Sequence, residues 1–124
     1  MKGSYRDLQV WQKGMDLAAE IYSLCKLLPS SEQFGLCSQM QRSAVSIPSN
    51  IAEGHGRGSP NEQLHFLNIA NGSRTELQTQ LLLCERIGYL TRAQTARGLM
   101  ITEELGKMIY SFSVTLKKKM KVGK

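Results

Sequence analysis

The sequence predicts an all-α fold, an antiparallel up-and-down four-helix bundle with helices over about 8–28, 36–54, 60–87 and 92–119. Three observations carry that expectation. Apolar residues recur at alternating intervals of three and four in four separate stretches. Strand-like alternation bounded by hairpin turns occurs nowhere. The connections between the stretches are short, which forces sequential helices to run antiparallel. At 124 residues the chain can build one continuous core. We expect one bundle domain over 1–119 and a basic tail over 120–124.

In the first stretch Trp11, Met15, Ala18, Tyr22 and Cys25 follow the helical repeat, and Leu17, Ile21, Leu24 and Leu28 widen the stripe. Asp7 is the expected N-cap, and Pro29 supplies the stop. Leu36, Met40, Ala44, Ile47 and Ile51 repeat the pattern in the second stretch. Pro48 falls inside it, removing one backbone donor and pressing on the carbonyl of Ala44, so a kink rather than a break is expected. Gly54-His55-Gly56-Arg57-Gly58 reads as a flexible turn.

Ser59-Pro60-Asn61-Glu62 is a helix start: Ser59 caps, Pro60 suits the first helical position and Glu62 completes a capping box. Leu67, Ala70, Leu77, Leu81 and Cys84 then line the third helix, with Gly88 just past its end. Thr91 and Gln94 form a second box. The fourth helix buries Leu99, Leu105 (or Gly106), Ile109, Phe112 and Leu116. The last two helices would each be roughly 40 Å long at ~1.5 Å per residue, and rods of that length depend on lateral packing.

Composition bounds the function. Hydrophobic residues make up 41% and charged residues 21%, as in an ordinary globular protein. No secretory leader and no run of ~20 apolar residues is present, so a soluble cytoplasmic protein with no membrane contact is expected. Cys25, Cys37 and Cys84 lack CxxC spacing and read as reduced thiols on helix faces. The net charge of +6 is unevenly placed. Five of sixteen basic residues (Lys117, Lys118, Lys119, Lys121, Lys124) lie in the last eight positions, and all ten acids precede them. The first 116 residues therefore carry a net charge of only +1.

Several features carry candidate chemistry. Gln39, Arg42 (or Ser43), Ser46, Asn50 and Glu53 form a polar stripe on the second helix that is poor in Lys. Short hydrogen-bonding side chains suit close helix contacts, so Gln39, Ser46, Asn50 and Glu53 point to a subunit interface or an internal polar network, against a solvated face. The glycine-rich turn follows a helix and not a strand, so it is no dinucleotide fingerprint. Arg57 and the free N–H groups of the next helix could still hold an anion.

Glu62-Gln63-Leu64-His65 matches the E-x-x-H spacing of di-iron bundles, but no second copy exists, and no metal or other cofactor is expected. Nucleophile elbows, H-E-x-x-H and Walker A loops are absent, so neither catalytic residues nor a small-molecule substrate is expected. The lysine tail complements the helix macrodipole and aids solubility, or serves as a phosphate-binding arm.

The segments Tyr5-Arg6-Asp7-Leu8, Val10-Trp11-Gln12-Lys13, Phe34-Gly35-Leu36 and Ala44-Val45-Ser46-Ile47-Pro48-Ser49-Asn50-Ile51-Ala52-Glu53-Gly54 together resemble the bacterial 23S rRNA intervening-sequence protein family. Gly56-Arg57, Phe66-Leu67, Ile69-Ala70, Gly72-Ser73, Glu76-Leu77, Thr79-Gln80-Leu81 and Gly88-Tyr89-Leu90 continue the likeness over nearly the whole chain. The resemblance implies an up-and-down bundle assembled as a homopentamer. The accessory proteins of diversity-generating retroelements, which work with a reverse transcriptase and nucleic acid, look like distant relatives. The family's biochemical role is otherwise unsettled, and it offers no catalytic residues to carry over.

Three departures stand out. The family's common Arg-Arg pair is Gln41-Arg42 here, followed by Ser43 where alanine is frequent, and Arg74 replaces a usually apolar residue. The resulting expectation is a non-enzymatic oligomeric accessory or scaffold protein. It would bind RNA or a ribonucleoprotein through Arg42, Arg57 and Lys117, Lys118, Lys119, Lys121 and Lys124. A protein-interaction module without nucleic acid is the alternative, and a di-iron type metal bundle a remote one.

Overall fold

A computed structural model describes residues 3–122. Four helices, α1 (Gln9–Cys25), α2 (Leu36–Arg57), α3 (Pro60–Arg86) and α4 (Arg92–Val122), are joined by short connections, with single 3₁₀ turns at Tyr5–Asp7 and Ser30–Glu32. No strand occurs among the described residues. α1 and α3 each pack against both α2 and α4, while the diagonal pairs stay apart. This is the antiparallel four-helix bundle that the spacing predicts.

The core is a continuous column. Leu17, Ile21, Met40, Ile47, Leu77, Leu81, Leu105 and Leu116 are fully buried, each removing about 1.5–3 kcal/mol worth of apolar surface from water. All five predicted α2 positions and all five predicted α3 positions are buried. On α1 the predicted Leu17, Ile21, Leu24, Cys25 and Leu28 are buried, but the seam is centred one residue away from the expected line. Met15 and Tyr22 are 46% and 47% exposed, and the inward line is Val10, Gly14, Leu17, Ile21, Leu24 and Leu28. The two lines have the same spacing, one residue apart. Gly14 lies on the inward line facing α2, where an added Cβ would stand at ordinary contact distance, 3.5 Å, from Pro48. Hydropathy reads that glycine as blank.

On α4 Leu99 and Phe112 are only half-buried, whereas Thr95 and Thr102 are fully buried. Their hydroxyls are satisfied locally: Thr95 donates to the Glu85 carboxylate at 3.1 Å and Thr102 to the carbonyl of Leu99 at 2.7 Å. A buried threonine with its hydroxyl so used costs little.

The helix ends also modify the sequence reading. Asp7 does not cap α1. It closes a 3₁₀ turn whose cap is Ser4, and Leu8 stands at the α1 N-cap without a side-chain bond. α1 ends at Cys25, three residues early, in a turn closed by i→i+3 bonds over Lys26–Leu28. Leu36 at the start of α2 donates its N–H to Glu32 at 3.1 Å, so the 3₁₀ turn supplies the cap that Gly35 lacks.

α2 continues unbroken through Pro48 and through the glycines expected to form a loop, ending only at Gly58 with φ 85°. Each helical glycine costs roughly 1 kcal/mol against alanine. The segment is nonetheless held. Gly54 lies against the α3 backbone, His55 donates to the carbonyl of Gly3 at 2.9 Å, and Arg57 pairs with Glu53 while covering Phe66.

Ser59 accepts the Glu62 N–H at 3.1 Å. Glu62 makes no return bond among the described residues, so that box is half-formed, its carboxylate remaining in water beside the helix N-terminus. The Thr91–Gln94 box is reciprocal, with bonds of 2.9 and 3.1 Å. α3 closes in a Schellman turn: Gly88 at φ 84° donates to Glu85, and Tyr89 donates to Cys84.

Candidate nucleic-acid interface

The basic residues divide between two places. Antiparallel order brings the C-terminal half of α4 to the end of the bundle where α1 begins and α2 ends. There Phe112 and Leu116 meet Leu8, His55 and Gln63 around a small void. Beyond Leu116 the chain stays helical to Val122, so Lys117, Lys118, Lys119 and Lys121 stand on a helix and not on an extended tail. All four are exposed. Lys124 lies outside the described residues.

At about 100° per residue, Lys117, Lys118 and Lys121 fall within one arc of α4, and Lys119 projects from another flank. Arg57 shares this end of the bundle, but its guanidinium is already engaged by Glu53 at 3.0 Å and by the Phe66 ring at 5.4 Å. Arg42 is exposed, without an ion pair among the described residues. It sits fifteen positions before Arg57 on α2, roughly 22 Å away along the axis. The structure therefore places the lysines and Arg57 at one end of the bundle, on diagonally opposed helices, and leaves Arg42 apart.

Following the lysine arc back along α4 exposes residues that sequence reasoning passed over. Lys107, Tyr110, Ser111 and Val114 precede Lys118 and Lys121 on the same face at helical spacing. Tyr110 is 72% exposed, and Lys107, Tyr110 and Ser111 share with Arg74 and Glu103 the wall of an open groove of about 350 Å³. A phenol ring among lysines is a combination that backbone phosphates and an unstacked base can both use. The signal was present in the sequence as a continued helical repeat, masked by treating the lysines as a separate tail.

The polar stripe of α2 turns partly inward. Ser46 shares a 2.8 Å hydrogen bond with Ser73 of α3, and Asn50 donates to the Ser46 hydroxyl and carbonyl at 2.9 and 2.7 Å. Ser43, buried, donates to Glu76 at 3.0 Å. Gln39 and Glu53 face solvent, Glu53 occupied by Arg57. Arg74 bridges helices: it donates to Asn71 at 2.9 Å and to the carbonyl of Thr102 at 3.1 Å. Glu62 and His65 are exposed, and no group of three metal-ligating side chains converges among the described residues.

At the opposite end Glu32 accepts the Tyr89 hydroxyl at 2.8 Å as well as the Leu36 N–H. These two bonds, the Leu36 one foremost, hold its carboxyl below the usual range, and the same carboxylate pushes the Tyr89 phenol up. The α1–α2 and α3–α4 connections are thereby joined.

A four-helix bundle with cations and a tyrosine along the outer face of its last helix is the class of protein these features define. Its sequence signature, matching over residues 6–111, is that of the 23S rRNA-intervening sequence protein family, and the chain belongs to that family. The match stops short of the lysine run. A protein of unknown function from the S23 ribosomal protein family of Bacteroides thetaiotaomicron, known from its crystal structure, is 30% identical. It aligns over 84% of this chain and 97% of its own, with a TM-score of 0.78. Among curated proteins there is no match.

Proposed function

We propose that this chain is a non-enzymatic accessory protein that holds single-stranded RNA, or the RNA of a ribonucleoprotein, along the exposed face of α4. The observation that carries this reading is the alignment of Lys107, Tyr110, Lys117, Lys118 and Lys121 on one side of a single helix. Lysines neutralise phosphates with release of counterions, and an exposed aromatic ring stacks an unpaired base at about 1–3 kcal/mol. Membership in a family of 23S rRNA-intervening sequence proteins supports RNA over other polyanions. A homo-oligomer, with five copies as the resemblance implies, would repeat the stripe and multiply its hold on a long strand.

Fluorescence anisotropy with labelled single-stranded and duplex RNA, read across a salt series, tests the proposal. Changing Lys117, Lys118 and Lys121 together to Glu should flatten the slope of log K against log salt by about 2, at ~0.7 per single-strand phosphate contact. Tyr110→Ala should weaken single-stranded binding roughly tenfold while Tyr110→Phe does not. Binding without salt dependence would rule the reading out.

A protein-interaction role is the second reading. Leu82 and Leu83 of α3 and Ile87 just after it are exposed large apolar residues, and Leu82 and Leu83 line an open groove with Thr79 and Arg86. Light scattering decides whether copies of the chain cover that face, and a pull-down with and without nuclease distinguishes protein from RNA-borne partners.

A further inference from the structure

Cys25 is the last residue of α1 and Cys37 the second of α2, and the turn between them folds the two thiols onto one another. The Cys25 thiol lies 3.8 Å from the carbonyl of Cys37, and the Cys37 thiol 3.5 Å from the carbonyl of Cys25. The two cysteines are 8% exposed each and line an open cleft of about 450 Å³, together with Tyr22, Lys26 and Gln41. Cys84 is different: it is fully buried, its thiol donates to the Met40 sulfur at 3.6 Å, and it does not reach the cleft.

We propose that Cys25 and Cys37 form a dithiol modification site, which a low-molecular-weight disulfide entering the cleft converts to a Cys25–Cys37 bridge. Both protein thiols are within reach of one small molecule, and each is already seated against the other's backbone.

The helix ends treat the pair unequally. Cys37 stands in the first turn of α2, at the positive end of that helix dipole, and Cys25 at the negative end of α1. Burial, followed by the neighbouring Cys37, pushes the Cys25 thiol up to about 12. Cys37 is therefore the attacking sulfur and Cys25 the resolving one. The Cys37 sulfur attacks one sulfur of the small disulfide, forming a mixed disulfide and expelling one small thiolate. The Cys25 sulfur then attacks the Cys37 sulfur, forming the bridge and expelling the second thiolate. The two thiol protons pass to the two departing thiolates. The protein pair is oxidised by two electrons, and the small disulfide is reduced to two thiols.

Incubating the folded, reduced, full chain with oxidised glutathione tests the site. The expected product is lighter by two hydrogen atoms, retains no glutathione, yields a crosslinked Cys25–Cys37 peptide without reductant, and reverts with dithiothreitol. Cys84 should remain free. Cys25→Ser should leave glutathione on Cys37, and Cys37→Ser should leave no modification. A bridge through Cys84, a bridge between two chains, or three thiols that stay free would each overturn the proposal. Peptide mapping of the unsubstituted protein decides these outcomes even if a variant does not fold.

Discussion

The guanidinium of Arg74 occupies the space that a side chain on Gly106 would need: a Cβ at that position would stand 2.8 Å from Cζ of Arg74. Arg74 reaches from α3 to the Thr102 carbonyl on α4, over the bare backbone that Gly106 offers one turn later. In the unsubstituted protein, Gly106→Ala should gain less than the roughly 1 kcal/mol of helix propensity, because the guanidinium must move off its bond to the Thr102 carbonyl. In an Arg74→Ala background the same change should stabilise by about 1 kcal/mol. Urea unfolding of the four proteins gives the coupling directly, and additive effects would show that the two residues do not interact.

Gly54 and Gly72 make a sharper contrast. A Cβ on Gly54 would meet Phe66 at 3.0 Å and the backbone of Gln63 at 3.2 and 3.3 Å, whereas one on Gly72 would meet nothing within 4 Å. Backbone cannot step aside as a flexible side chain can. Gly54→Ala should therefore force α2 and α3 apart and cost about 1–3 kcal/mol. Gly72→Ala should raise stability by roughly 0.5–1 kcal/mol. Thermal unfolding of both variants checks the opposite signs.

Gln80 is buried on α3, and its side-chain carbonyl oxygen has no hydrogen-bond partner among the described residues. The Ser43–Glu76 and Ser46–Ser73 bonds set the register of α2 against α3, and by that register Gln80 lies opposite Gln39, which faces solvent. An orphaned buried acceptor costs about 1–3 kcal/mol. Replacing it by the similarly sized Met should raise stability by about 1 kcal/mol in denaturant unfolding. A drop of that size would mean that the Gln80 amide is bonded in solution.

The same register shows what could be read from the sequence and what could not. The core positions of α2 and α3 were legible because Met40, Ile47, Leu77 and Leu81 are apolar on the faces turned to the core. The α1 seam was legible only in part: Leu17, Ile21, Leu24 and Leu28 read as apolar, but Gly14 is blank to hydropathy and the exposed Met15 and Tyr22 mimic a core line. α2 looked as though it ended at Gly54 because glycine propensity is a local property, while the support for residues 54–57 comes from Gly3, Gln63 and Phe66. For the candidate interface, the lysines were evident in sequence. Their helical placement beside Tyr110, and the engagement of Arg57 by Glu53, needed the fold.

Glu32 and Tyr89 give a pH-dependent readout of how the two connections are joined. Glu32 is held below its ordinary value by the Leu36 N–H and then the Tyr89 hydroxyl, so its contribution is present above about pH 4.5 and is lost as pH falls through the lowered folded value. Tyr89 is raised, first by its bond to Glu32, so its contribution is present below about pH 10 and is lost as pH rises through the raised folded value. Tyr89→Phe removes the shared bond. It should abolish the alkaline loss that Tyr89 contributes and weaken the acid loss, while leaving the Leu36 contact to Glu32 in place. Glu32→Gln should abolish the acid loss from this residue and reduce the alkaline one, since Tyr89 would no longer donate to a charge. Urea midpoints measured across both limbs distinguish the two variants. If Tyr89→Phe leaves both limbs unchanged, the 2.8 Å contact does not hold the connections together in solution.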